Sequence, residues 1–237
     1  MLCATLACGS ASAAKPVVAW GDSLTAGSGG TPWPKQFNAL SHVDVAIFGF
    51  GGKSSTDIKN LMLSDTLHNN DFAVIWVGRN NYYQNDTVVA DVAAMVGHLT
   101  STDYLILGVT NGSYGGYEVR GGDGWKFITE LNTRLGSIYG PRFIDVRADL
   151  VAQYDPSSPQ DALDFGTDTV PTSLRYDQGH LNTRGYGVVA QSVYAQYTAL
   201  AAVPEPSRLA LFALGCTALA AFARRRTHVP ASRRAVP

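Results

Sequence analysis

Cysteine is missing from the central part of this 237-residue chain. Cys3, Cys8 and Cys216 are the three in the sequence, so between Lys15 and Leu200 no disulfide and no cysteine-based metal site can form. Charge is scarce as well, at 16% of residues, and it divides unevenly. The stretch from Lys15 to Leu200 holds 12 Lys and Arg against 18 Asp and Glu, a net of −6. From Ala201 onward there are six Arg and one Glu, a net of +5. An acidic body lacks the basic face that phosphate backbones require, so no nucleic-acid partner is expected. The chain has no internal repeat and no heptad array, and the G-x-x-x-x-G-K-[ST] spacing of a phosphate-binding loop is absent.

What is present is the composition of a globular domain, with 46% apolar residues and length enough for a real core. Short apolar runs at Val17 to Trp20, Val43 to Phe48, Phe72 to Val77, Tyr104 to Val109 and Phe143 to Val146 read as buried strands. Between them lie helical periods at Ser55 to Leu67, Thr87 to Leu99 and Trp125 to Ile138, and a last one at Thr183 to Leu200. Strands alternating with helices imply an α/β fold, a parallel sheet of about five strands between two helical layers. Two stretches fit neither period. Asn111 to Gly124 contains six glycines, and Asp155 to Leu174 contains three prolines. Long aperiodic segments in a compact domain tend to be functional, and both follow late strands, where open α/β sheets gather their sites.

Four short motifs stand at those strand ends. The first strand runs into Gly21-Asp22-Ser23-Leu24, which places a serine hydroxyl at the sheet edge. The second runs into Gly49-Phe50-Gly51-Gly52, whose backbone N–H groups can face an anion. The third runs into Gly78-Arg79-Asn80-Asn81, where an amide N–H can meet a developing oxyanion. Before the last helix stands Asp177-Gln178-Gly179-His180, in which the carboxylate can hold one ring nitrogen while the other faces a nucleophile. Each motif alone is common. Together they supply nucleophile, base, orienting acid and oxyanion donors. His42, His68 and His98 are read as surface or partly buried residues outside such a pairing, and no metal or cofactor is expected.

This ordered set resembles the SGNH family of GDSL hydrolases, through Ser23, Gly52, Asn80, and His180 with Asp177. The resemblance implies a flavodoxin-like three-layer α/β/α sandwich and a serine esterase. Ser23, Asp177 and His180 would form its triad. The N–H groups of Ser23 and Gly52 and the amide of Asn80 would form its oxyanion hole, with Gly51 one residue away as the alternative glycine. Asp22, Arg79, Asn81, Tyr114 and Tyr117 are expected to contact substrate. The sequence departs from the family at two points. Asn81 stands where the family usually has Asp, and Ile47 and Phe48 occupy the region where it usually has an Asn. A lipase or lysophospholipase, an acyltransferase, and a non-catalytic carbohydrate-binding module are the other readings that this fold permits. The body is expected to be a monomer.

Both ends read as targeting segments. Residues 1–14 are small and apolar and carry Ala11-Ser12-Ala13, the pattern of a signal-peptide cleavage site. Residues 15–202 are the expected hydrolase domain. Residues 203–237 carry Pro204-Glu205-Pro206, an apolar run from Leu209 to Ala223 and then Arg224-Arg225-Arg226. This arrangement resembles a PEP-CTERM sorting signal. It implies export, transient anchoring through a short apolar helix, and a membrane sorting enzyme as partner. Such signals favour an acylated extracellular glycan as substrate.

Overall fold

The computed structural model describes residues 15–201, so the expected leader and sorting segments lie outside the described residues. Five parallel strands form one sheet: β1 (Val17–Gly21), β2 (Val45–Gly49), β3 (Phe72–Trp76), β4 (Tyr104–Leu107) and β5 (Phe143–Ile144). Their order is β2-β1-β3-β4-β5. β1 sits between β2 and β3 in register, with Gly21 level with both Gly49 and Trp76. Every residue of β1 and β3 is buried, as befits strands covered on both faces.

The helices are α1 (Ser23–Ala26), α2 (Trp33–Ser41), α3 (Ser55–Ser64), α4 (Asn85–His98), α5 (Asp123–Tyr139), α6 (Val146–Ala152), α7 (Pro159–Gly166) and α8 (Thr183–Ala201). One core layer joins Val18, Trp20, Ala73, Ile75 and Ile106 of the sheet to Ile58 and Met62 of α3, Val88, Val92 and Met95 of α4, and Ile128, Leu131 and Leu135 of α5. The alternate strand residues Val17, Ala19, Val74, Leu105 and Leu107 are equally buried, as are Phe37 of α2 and Tyr186, Val189 and Val193 of α8. The period of two in a strand thus feeds a layer on each face.

Several local outcomes differ from the sequence expectations. The second strand begins at Val45, and the fifth stops at Ile144 because the Asp145 side chain accepts the Ala148 N–H and caps α6. α2 has no counterpart in the expectations. Its Pro34 lies in the first turn, where a missing N–H costs nothing. The stretch Asp155 to Leu174, expected as a loop, contains α7, with Ser158 accepting the Asp161 N–H and Pro159 opening the first turn.

The described chain enters and leaves at one edge of the sheet. Lys15 pairs with Asp103 just before β4 begins, at 2.7 Å. Near the end of α8 the Tyr197 ring meets Phe72, the first residue of β3, at a centroid distance of 4.9 Å. Among the described residues no helix is long and apolar enough to cross a membrane.

Candidate active site

The opposite edge, where the strands end, carries the motifs. β1 passes into Asp22 and Ser23 through Gly21. A Cβ at Gly21 would lie 2.4 Å from the Trp76 carbonyl oxygen, so only glycine fits beside β3. Asp22 caps α1, its Oδ1 accepting the Leu24 N–H at 2.9 Å. Ser23 then stands in the first turn of α1 with its N–H free of any acceptor among the described residues.

His180 reaches Ser23 from the other end of the chain, with 3.0 Å between Nε2 and Oγ. Its Nδ1 lies 2.9 and 3.0 Å from the two oxygens of Asp177. Asp177 Oδ1 also accepts the N–H groups of Gly179 and His180, each at 2.7 Å. Burial pushes the Asp177 carboxyl up, but the hydrogen bonds from the His180 ring and these two N–H groups outweigh it and hold it below the usual carboxylate range.

The structure brings Asn80 to the same place. Asn80 Nδ2 donates to the Lys53 carbonyl at 2.9 Å and lies 3.5 Å from Asp22 Oδ2. Gly52 lies on the turn before α3 with a φ of 73°, a left-handed conformation that favours glycine, whereas Gly51 has no positive φ. Neither N–H donates to an acceptor among the described residues.

The residues expected to contact substrate divide. Arg79, Tyr114 and Tyr117 line a cavity of about 320 Å³ together with Ser23, Asn80, Tyr82, Tyr83, Glu118, Gly179 and His180. Asp22 and Asn81 do not reach it. Both are buried, Asp22 beneath Ser23 and Asn81 against Ser55 of α3. Burial pushes the Asp22 carboxyl up to about 6, against the opposing effects of the Leu24 N–H and the charges of Arg79 and His180.

Glu118, Tyr82 and Tyr83 were not foreseen. Glu118 takes the Arg79 guanidinium through two bonds, at 2.9 and 3.0 Å, and accepts from the Tyr82 hydroxyl at 2.7 Å. The Arg79 guanidinium also sits 5.4 and 5.3 Å from the Tyr82 and Tyr114 ring centroids. Burial works against its charge, and the Glu118 carboxylate more than offsets that. The available signal was that Glu118 is one of only two glutamates between Lys15 and Leu200.

The reading of His68 needs correction. Asp65-Thr66-Leu67-His68 has the same spacing as Asp177 to His180, and His68 Nδ1 lies 2.9 Å from Asp65 Oδ2. No hydroxyl bonds its other ring nitrogen among the described residues, so this pair has no nucleophile to serve. The Asp-x-x-His spacing is therefore a local turn, and its partner across the sheet gives it meaning.

Residues 19–188 match the model of the GDSL-like lipase/acylhydrolase family, which covers most of the chain. The chain belongs to that family. It is an ester hydrolase of the GDSL type. Residues 202–226 match the PEP-CTERM protein-sorting motif, which indicates export and membrane-associated sorting. No curated protein matches the chain. Several solved structures share the fold of this GDSL hydrolase. A lipase/acylhydrolase from Enterococcus faecalis has a TM-score of 0.62 at 16% identity, covering 78% of this chain and 96% of its own. A member of the G-D-S-L lipolytic family from Veillonella parvula has a TM-score of 0.57 at 18% identity, covering 77% and 98%. A catalytic mutant of an acetylxylan esterase from Geobacillus stearothermophilus has a TM-score of 0.54 at 12% identity, covering 77% and 94%.

Proposed function

We propose that this GDSL hydrolase is a secreted serine esterase that removes acetyl or other short acyl groups from an extracellular glycan. The observation that carries the mechanism is the line Ser23 Oγ, His180 Nε2 and Nδ1, Asp177 carboxylate. Ser23 Oγ attacks the ester carbonyl carbon and gives its proton to His180 Nε2. Asp177 holds Nδ1–H and so fixes the tautomer that leaves Nε2 open. The carbonyl oxygen becomes an oxyanion held by the N–H groups of Ser23 and Gly52 and by the Asn80 amide. One Asn80 proton goes to Lys53 at 2.9 Å and the other has only a long contact of 3.5 Å to Asp22 Oδ2, which the oxyanion would replace. Collapse breaks the bond to the alcohol, which takes the proton from His180. Water then repeats the sequence on the acyl-Ser23 ester and releases the acid.

The cavity supports a short acyl group and a polyhydroxyl alcohol. No aliphatic side chain lines it. A long acyl chain needs an apolar channel, whereas tyrosines offer faces for sugar rings and hydroxyls for hydrogen bonds. Tyr83, Tyr114 and Tyr117 are 56%, 44% and 46% exposed, open enough to receive a ligand. The acetylxylan esterase among the fold neighbours accords with this reading. The leader at 1–14, the hydrolase domain at 15–202 and the sorting signal at 203–237 fit a route across the inner membrane. A sorting enzyme then acts near the Pro204-Glu205-Pro206 tripeptide, leaving the esterase at the periplasm, cell surface or beyond.

The test is labelling with a fluorophosphonate probe alongside hydrolysis of nitrophenyl acetate. Ser23→Ala should abolish labelling and lower kcat by about 10⁴-fold or more. Hydrolysis that survives the substitution removes Ser23 from the reaction. Faster release of long acyl chains than of acetate would favour the lipase reading.

A further inference from the structure

Gln178 lies between Asp177 and His180 but faces away from Ser23. Its side-chain oxygen accepts from four donors: the Ser113 N–H at 2.9 Å, the Ser113 hydroxyl at 2.7 Å, the Tyr114 N–H at 3.2 Å and Arg175 Nη1 at 3.0 Å. All four groups donate, so the oxygen end of the amide is fixed. Two successive N–H groups converge on one atom because Ser113, between their two peptide planes, is helical at φ −82° and ψ −40°. Successive N–H groups arranged in this way make a concavity for an electronegative atom.

The rest of that loop is held elsewhere. Asn111 Nδ2 donates to the carbonyls of Glu118 and Asp168, at 2.8 and 2.9 Å. The Arg120 N–H donates to Thr167 and the Trp125 indole to Asp168, each at 2.8 Å. The tip at Ser113 and Tyr114 therefore depends on Gln178 for its side-chain link to the loop that carries His180. The two loops also touch closely where they cross. A Cβ at Gly112 would lie 2.0 Å from the Gln178 carbonyl oxygen, and one at Gly179 would lie 2.7 Å from the Tyr114 hydroxyl.

We propose that Gln178 is a positioning residue that sets specificity for the alcohol side of the ester, by pinning the Tyr114 loop tip to the His180 loop through its side-chain oxygen. It touches no reacting atom. Its action runs through Tyr114, which forms one wall of the cavity and flanks the Arg79 guanidinium. This rests on the reading that Ser23 is the nucleophile and that the tyrosines receive the alcohol portion. A small leaving group gains little from that wall, whereas a glycan needs it.

The experiment compares the full chain with Gln178→Met and Gln178→Glu, on nitrophenyl acetate and on an acetylated xylo-oligosaccharide. Gln178→Met removes the acceptor at similar size. It should raise KM for the oligosaccharide about tenfold while lowering kcat/KM for nitrophenyl acetate less than about threefold. Gln178→Glu keeps an acceptor for all four donors and should restore the oligosaccharide KM. If Gln178→Met does not fold, as judged by circular dichroism, Ser113→Ala removes one of the four contacts, that of the hydroxyl, and should shift the substrate ratio in the same direction by less. An unaltered ratio between the two substrates overturns the proposal, whether both activities fall together or neither does, and so does failure of Gln178→Glu to restore it. Fluorophosphonate labelling separates the two readings. An unlabelled parent overturns the nucleophile reading and this proposal with it, whereas a labelled Gln178→Met with an unaltered ratio overturns the role of Gln178 alone.

Discussion

Asn81 and Ser55 exchange two hydrogen bonds. Asn81 Oδ1 accepts the Ser55 N–H at 3.0 Å, and Asn81 Nδ2 donates to Ser55 Oγ at 2.9 Å. Ser55 has one hydroxyl proton and gives it to Asp91 Oδ2 at 2.7 Å, so its oxygen is left to accept. Asp91 also holds Thr56 and Lys59, each at 2.7 Å. Asn81 suits this cluster where an aspartate would not. An aspartate at 81 has no proton for Ser55 Oγ and sets a second carboxylate near Asp91.

Asn81→Asp should accordingly lower stability by about 1–3 kcal/mol, the usual cost of a buried polar group left unpaired. Urea denaturation reads this directly. Pairing it with Asp91→Asn, which returns the cluster to one carboxylate, should recover part of the loss. Full stability in the single variant would mean that Ser55 is not committed to Asp91.

Asn80→Ala tests the oxyanion role. Removing one such donor typically costs about 10²–10³ in kcat. Here kcat should fall in that range with KM for nitrophenyl acetate little changed, because the bond forms only as charge develops. The opposite split, a raised KM at constant kcat, would make Asn80 a ground-state contact.

Asp22 gives a pH signature. Its folded carboxyl, raised by burial to about 6, titrates above its ordinary value of 3.8. Between those values the folded protein keeps a proton that the unfolded chain has released, so stability falls as pH rises through this window. The cost, about 3 kcal/mol, is fully expressed above about pH 6. Asp22→Asn can still accept the Leu24 N–H but cannot ionise. Its urea midpoint should gain on the parent's steadily from pH 4 to 6.5. Parallel curves would remove Asp22 as the source.

The strands were legible because burial on both faces leaves uninterrupted apolar runs such as Phe72 to Trp76. The meeting of Ser23 with Asn80 was legible because a parallel sheet puts its strand ends on one edge, and that of His180 with Asp177 because a three-residue spacing lets the carboxylate reach back to the ring. α2 was hidden by Pro34, which punctuates a sequence even where the first helical turn tolerates it. α7 was hidden by the prolines around it, although Ser158-Pro159 with Asp161 is a helix start. Glu118 was illegible as the partner of Arg79, since nothing in a 39-residue separation announces a two-bond ion pair. Asn81 could not be placed either, because its role depends on where Ser55 and Asp91 meet. The sorting motif was legible from its order of tripeptide, apolar run and arginines, independently of the fold.

Lys15 and the Tyr197 ring lie where the strands begin, and Ser23 and Asn80 lie where they end. Five residues of β1 separate the two edges, a distance of about 16 Å. Lys15, Phe72 and Tyr197 therefore form a floor that can be altered without touching any group at the mouth, and the hydrogen-bonded sheet between them acts as a rigid spacer.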